Sequence, residues 1–302
     1  MNYAYTLISI KKCQIFLFLQ IFFLSFTTSA GQWPERKNFI CGYKAVVEYM
    51  NSLILRDRDI TLHQIEQLQK REITEEEVIE LIITLMRYRL LPINETQGKC
   101  RFFSYLCVQD ESTDTTDTLL YHLAVQRLQN HPHGLETCHI YSRGREKVFP
   151  LFSPDCKMAI VKRIGAIPAP LATAQAGLES AWGTSRFSVQ GHNFFGMQTT
   201  FSSSRKTHNH PKCIPAKRNP RRCVYKFTSI ETSVFIYTLL LNTYSSYISL
   251  REQRYQANLE EAPPCEASLE MAKGLNKYAE DPDYVKKVQG TIKKVCQIIN
   301  DC

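Results

Sequence analysis

The run LATAQAGLESAWGTSRF, Leu171 to Phe187, decides how this chain is read. Leu171, Ala174, Leu178 and Trp182 recur at helical spacing and form an apolar stripe, which predicts a helix over Ala169 to Trp182. Glu179 follows Leu178 and stands one turn before Trp182, so the spacing puts it on the edge of the stripe and off the opposite, solvated face. A carboxyl group half-sunk against an indole is disfavoured in its charged form, and its pKa is expected to rise. Such an acid, still protonated near neutral pH, can give its proton to the leaving oxygen of a sugar. A helix-edge glutamate without chemistry is the alternative that the residues alone leave open.

The chain has 302 residues, enough for one large or two ordinary domains with a real core. Lys11 and Lys12 precede the apolar run Ile15 to Phe26, which gives way to Thr27-Thr28-Ser29-Ala30. A positive start, a short apolar stretch and a small-residue exit predict an export signal over residues 1–30, cleaved after Ala30. The apolar run is shorter than the roughly 20 residues a membrane span needs, so no span is expected after cleavage. Export leads to the periplasm or the outside of the cell. Apart from Cys13, ten cysteines remain, an even number that suits a disulfide set of unspecified connectivity. Paired Cys-x-x-Cys spacings are absent, and His208, His210 and Cys213 make the single candidate ligand cluster. Neither a metal nor an organic cofactor is expected.

Charge is unevenly spread. Residues 31–150 hold 15 Lys and Arg against 17 Asp and Glu, whereas residues 151–302 hold 20 against 12. Eight basic residues and no acid lie between Phe201 and Lys226. A basic exported region invites an anionic polymer such as peptidoglycan or another acidic glycan, and a solvated basic loop is the competing reading. Nucleic acid is not the expected partner.

Helical patterns run over Tyr43 to Leu55 and Thr61 to Leu68. Thr74 followed by Glu75-Glu76-Glu77 marks a capped helix start, and Pro92 marks its end. A polar loop over Asp110 to Asp117, a helix over Leu119 to Leu128 and a turn at His131 to Gly134 complete residues 31–148, which contain no chemical motif. They are read as a helical accessory region, free to dock a protein partner. A second unit, 149–302, starts near Phe149-Pro150 with a helix over Cys156 to Ile164. Its residues 191–226 are turn-rich, with short strands or irregular structure, and Ser229 opens a strongly apolar helix. Two last helices are expected over Ala267 to Leu275 and Asp283 to Ile299, with Pro282 in the first turn of the latter.

LATAQAGLESAWGTSRF, then GHNFFGM (Gly191 to Met197), then NKYAEDPDYVKKV (Asn276 to Val288) resemble, in this order, bacterial glucosaminidases of glycoside hydrolase family 73, and within them the Bax-type branch of exported bacterial proteins. The resemblance covers about Phe149 to Ile299. It implies a mainly α, lysozyme-like catalytic domain with a small irregular or β lobe, here preceded by the helical N-terminal region. It implies that Glu179 is the general acid and that Trp182 and the element Asn193-Phe194-Phe195-Gly196 line the cleft. Two aromatic faces beside a glycine suit stacking on a pyranose, and the Asn side chain suits an N-acetyl group; core aromatics behind a tight turn are the alternative for one of the two Phe. The element Tyr278 to Tyr284 is complete, and Tyr278 is the expected second catalytic group, with Tyr284 beside the substrate. Asp281 is expected to cap the following helix.

One departure matters. Family members often carry a second acid in the small lobe, yet no Asp or Glu occurs here between Glu179 and Glu231. Glu231 sits at a helix start, where acids complement the dipole, and takes no catalytic role. Attack by the substrate's own N-acetyl oxygen, or by water with a weaker base, remains. The implied activity is an endo-β-N-acetylglucosaminidase acting on peptidoglycan or a related N-acetylglucosamine-containing glycan. A lytic transglycosylase or muramidase, and a non-catalytic glycan-binding envelope scaffold, are the rivals. A Cys213–Cys223 bridge across the basic segment is a further expectation.

Overall fold

Helix α1, Arg36–Lys70, repeats apolar residues every three or four positions (Phe39, Ile40, Tyr43, Val47, Met50, Ile54), and this stripe is buried. The sequence suggests two helices here, but the chain makes one. Arg56-Asp57-Arg58-Asp59 contains no breaker, and Thr61 turns its hydroxyl back onto the Asp57 carbonyl (2.6 Å) instead of starting a new helix. Arg71, in the left-handed conformation, ends α1 by donating its N–H to the last turn. The computed structural model describes residues 35–91, 116–130, 135–142, 145–200, 213–216 and 219–302. The expected signal 1–30, Cys100, Cys107, the turn at 131–134, and the histidines of the His208–Cys213 cluster lie outside the described residues. So do most of the basic segment and the side chain of Cys213.

Helix α2, Glu75–Arg87, begins with the expected cap: Thr74 accepts from the Glu77 N–H while Glu77 reaches back to the Thr74 N–H. Helix α3 spans Thr116–Asn130. Strands β1 (Thr137–Ser142) and β2 (Arg145–Pro150) then form an antiparallel hairpin, which the sequence reading did not anticipate. Helices α4 (Pro154–Arg163), α5 (Ala169–Ser180) and α6 (Arg186–Gly191) follow. Strands β3 (Gln198–Thr200), β4 (Cys213–Ala216) and β5 (Asn219–Tyr225) make an antiparallel sheet with β5 in the middle, the small β lobe. Helices α7 (Ile230–Thr243), α8 (Ile248–Leu259), α9 (Pro264–Ala272) and α10 (Tyr284–Ile299) complete a mainly α, lysozyme-like architecture. Helix α10 starts two residues beyond Pro282. Asp281 accepts the Asp283 N–H (2.9 Å), so it organises the turn ahead of the helix and is not its N-cap residue.

Two hydrophobic cores divide the molecule. The first gathers Phe39 to Met50 of α1 with α5, the Phe194–Phe195 turn, most of α7 and α10. The second gathers Ile54 and Ile65 of α1 with α2, α3, the hairpin and α4. Their division falls inside α1, between Met50 and Ile54, and between Ile164 and Ile167 on the other side. The front half of α1 is therefore tied to the second half of the chain. Cys41 is bridged to Cys302, Lys44 donates to the Ile299 carbonyl, and Asn51 exchanges two hydrogen bonds with Ile167 (2.7 and 3.0 Å).

Three buried arginines seal the division. Arg163 donates to Arg89 O, Arg251 to Leu241 O and Tyr244 O, and Arg254 to Lys162 O, Gly165 O and Asn242 Oδ1. Their guanidinium groups take the orphan carbonyls at or just beyond the ends of α2, α4 and α7, where the helix dipole favours a cation. Burial lowers the pKa of Arg251 to about 9 and that of Arg254 to about 10. Further bridges join Cys138 to Cys156 and Cys265 to Cys296, and Cys223 is also in a disulfide. Among the described residues no helix is long and apolar enough to cross a membrane.

Candidate active site

Helix α5 is buried along almost its whole length and carries Glu179 in its last turn. The helix stops because Ala181 (φ 51°) and Trp182 (φ 57°) both adopt the left-handed conformation, which is uncommon for residues with a Cβ. Ser180 secures the reversal: its hydroxyl donates to Ala176 O (2.6 Å) and accepts from Gly183 N (2.8 Å). The reversal folds the indole of Trp182 back over Gly177, where a Cβ would lie 2.7 Å from the ring. Phe39 meets the indole edge-on and the Arg36 guanidinium lies 4.6 Å from the indole centroid. Gly177 and Glu179, two positions apart, point to nearly opposite sides of a helix. Trp182 therefore braces α1 on the side of α5 away from Glu179, and the indole is not what desolvates the carboxyl group.

That task falls to the turn Asn193–Gly196 and to tyrosines. Gly196 (φ +65°) lies so close that a Cβ would stand 3.2 Å from Glu179 Oε2, so glycine is required both by the backbone and by the carboxyl. The ring of Tyr284 stacks on Tyr278 (centroids 5.5 Å apart, 7° between planes), and the Glu179 charge acts on both phenols. Burial raises the pKa of Glu179, and the Tyr284 hydroxyl pulls it partly back. No other carboxylate among the described residues contributes. Tyr278, also near Glu179, has its own pKa pushed well up by burial.

The Asn-Phe-Phe-Gly element is built differently from the expectation. Asn193 is 2% exposed, and its amide is used up inside the turn: Nδ2 donates to Met197 O and Tyr225 O, and Oδ1 accepts from Met197 N. Both of its N–H donors are spent, and the one lone pair left on Oδ1 is buried with the rest of the side chain. Phe194 and Phe195 are 0% and 1% exposed. Phe194 packs on Phe39 and Tyr43, and Phe195 stacks at 3.8 Å on Tyr237. Neither ring can be reached by a sugar; both support the site from behind. Tyr278 is partly exposed, and its hydroxyl donates to Phe195 O (2.8 Å), which ties the C-terminal turn to the Asn193–Gly196 turn.

The fold thus brings Glu179, Gly196, Tyr278 and Tyr284 together, puts Asn193, Phe194 and Phe195 behind them, and sends Trp182 elsewhere. The residue that the sequence reading missed is Gln175. It is fully buried one turn before Glu179, donates Nε2–H to Tyr284 Oη (3.0 Å), and accepts at Oε1 from the Tyr237 hydroxyl (2.5 Å). A lone amide among Ala172, Ala174 and Ala176, four residues before the acid, was the available signal. Tyr237, inside the apolar helix α7, gave none.

A family model described as mannosyl-glycoprotein endo-beta-N-acetylglucosaminidase matches residues 158–297. Those residues are a glucosaminidase-family domain. Over 97 residues the chain is 30% identical to the protein bax of Escherichia coli (strain K12), a stretch that makes up 32% of this chain and 32% of the relative's length. The chain thus matches about a third of that curated protein. No solved structure gives a significant match. The glucosaminidase domain, as matched, begins within α4, so the front half of α1 that completes its core lies outside the matched segment. A glycan-cleaving hydrolase is the activity class this domain supports.

Proposed function

We propose that the protein is an exported endo-β-N-acetylglucosaminidase that cuts peptidoglycan at the β-1,4 bond following N-acetylglucosamine, with Glu179 as general acid. One observation carries the reading. A carboxyl group whose pKa is raised by burial faces a glycine that leaves it room, at the end of helix α5 and within the segment that the glucosaminidase model matches. Disulfides suit an oxidising compartment, the periplasm or the cell exterior. The excess of Lys and Arg in residues 151–302 suits an anionic wall polymer.

In the first step Glu179 gives its proton to the leaving oxygen as the C1–O bond breaks. With no carboxylate partner acting on Glu179 among the described residues, the substrate's acetamido oxygen supplies the electron pair to C1. Water then opens the cyclic intermediate and returns a proton to Glu179. Tyr278 has spent its own proton on Phe195 O but keeps a lone pair, which can accept the acetamido N–H and strengthen the amide oxygen as nucleophile.

The test is mass spectrometry of fragments released from cell-wall sacculi, native protein against Glu179→Gln. Reducing N-acetylglucosamine ends that disappear with the variant support the reading. Anhydro-muramyl ends would instead identify a lytic transglycosylase, and reducing muramic acid ends a muramidase. Binding without release would identify a glycan-binding scaffold, the reading favoured by the missing second acid.

A further inference from the structure

The turn that faces Glu179 is backed by a helix outside the segment that the glucosaminidase model matches. Phe39 and Tyr43, one turn apart on α1, are the rings that meet Phe194 among the described residues, at 6.2 and 5.2 Å between centroids. Tyr43 also meets Phe195, whose carbonyl accepts the Tyr278 hydroxyl (2.8 Å). Gly196 comes next in the chain, and a Cβ on it would lie 3.2 Å from Glu179 Oε2. The Asn193–Gly196 turn is thus a wedge with α1 on one side and the carboxyl group on the other.

The rear half of α1 belongs to the second core, so its front reaches the first core as the extension of one helix about 50 Å long. Among the described residues, Cys41–Cys302 is the covalent tie of that front to the end of α10, across 261 positions of chain. Beside it Lys44 donates to the Ile299 carbonyl (3.2 Å). Cys302 is exposed and Cys41 half-buried, whereas Cys138 and Cys156 are buried. An attacking thiolate must reach a sulfur atom, so a dissolved dithiol opens Cys41–Cys302 before Cys138–Cys156.

We propose that Phe39 and Tyr43 are positioning residues for Glu179, and that the Cys41–Cys302 bridge is a redox latch that holds them in place. This rests on Glu179 being the general acid of the proposed function. A dithiol delivers two electrons and two protons to the S–S bond; Cys41 and Cys302 become thiols and the reductant closes to its own disulfide. The front of α1 then loosens, Phe194 loses its backing, and the turn no longer fixes Glu179 and Tyr278 against the bond to be cut. In a reducing compartment the chain keeps its two cores but carries an unfinished site, which is completed where disulfides form.

The experiment compares Cys41→Ser/Cys302→Ser and Phe39→Leu with the native full chain, the latter oxidised and after mild dithiothreitol treatment, with mass mapping to show which bridge is open. All are assayed well below their melting temperatures, where a bridge that only adds stability leaves turnover alone. With the latch open, and in Phe39→Leu, kcat on sacculi should fall about 10–100-fold, as for a displaced catalytic group, with KM changed less than about threefold. Reoxidation of the native protein should restore kcat. Trp182 gives a readout without substrate, since Phe39 meets its indole edge-on and the Arg36 guanidinium lies 4.6 Å from its centroid. Trp33 is the other tryptophan, so in a Trp33→Phe background the emission of Trp182 should shift to the red when the latch opens. Native kcat in the folded double variant would overturn the proposal, whether or not the emission moves. A fall in kcat with unshifted emission would overturn it too, because the bridge would then act elsewhere than through α1. If the double variant does not fold, native kcat in folded Phe39→Leu overturns it equally. Failure of the native protein to cut sacculi would remove the proposed function, while the Trp182 emission would still decide whether the bridge holds α1.

Discussion

The two cores meet along one helix and are made of different material. The second is mainly aliphatic: Ile79, Leu81, Ile82, Leu85, Leu120, Ile160 and Ile164 fill space between α2, α3, α4 and the hairpin, with Tyr88 as its fully buried phenol. The first is rich in rings that carry hydroxyls, with Tyr43, Tyr237, Tyr247 and Tyr284 beside Phe39, Phe194 and Phe195. Aliphatic packing supplies burial free energy without direction, whereas a phenol buries a ring and aims a proton. The core that has to hold a carboxyl group at one angle is built from the second kind of residue. Even there satisfaction is incomplete, since the buried hydroxyls of Tyr43 and Thr173 have no hydrogen-bond partner among the described residues.

This contrast can be broken most sharply at the acid. Glu179→Gln should lower sacculus digestion by about 10²–10⁴-fold with an unchanged fold, whereas no single truncation in the second core should approach that effect once the protein is folded. Release of soluble fragments, normalised to folded protein by circular dichroism, checks it.

Next in size is the front of α1. Phe39→Ala removes a ring that touches Tyr43, Phe194 and Trp182 and should cost about 3–5 kcal/mol. Leu85→Ala in the second core should cost about 2–5 kcal/mol. Urea unfolding measures both. Activity at low temperature separates them, because only Phe39→Ala loosens the Phe194–Phe195 turn behind the site. Equal loss of turnover in both variants would mean that the cores are not functionally distinct.

Replacing both Cys41 and Cys302 by Ser unties α1 from the end of α10 and should cost about 2–4 kcal/mol in denaturant. The same exchange at Cys138 and Cys156 should destabilise the second core without changing the pH–rate profile.

The smallest effect concerns pH. The folded-state pKa of Glu179 lies above its unfolded value, so its contribution to stability is fully present below the ordinary carboxylate range and is lost as the pH rises through the folded pKa. Glu179→Gln should therefore be more stable than the native protein at neutral pH, with the advantage vanishing in acid. Melting temperatures of both proteins from pH 4 to pH 8 would show it, and a constant difference would contradict a strained carboxyl.

Much of this was legible in the chain. The Thr74–Glu77 capping box, the apolar run of α7 and the strongly one-sided α10 follow from local chemistry, which is why their positions could be read directly. Helix α8 could not, because its buried face carries Arg251 and Arg254, and charged residues in a core break the apolar stripe that announces a helix. The β1–β2 hairpin was missed because six-residue strands leave little periodicity, and Cys138 is anchored from α4.

For the site, sequence by itself determined the residue types and their order: an acid closing a helix of small residues, a glycine turn with two Phe, and a tyrosine-rich turn before the last helix. Tertiary structure alone decided which atoms face each other. It turned Trp182 away, buried Phe194 and Phe195, spent the Asn193 N–H groups on its own turn and on β5, and joined Gln175 to a tyrosine 109 positions beyond it in the chain. The physical reason is that spacing fixes which residues share a helix face, but desolvation and hydrogen-bond direction depend on the partners that other elements bring to that face.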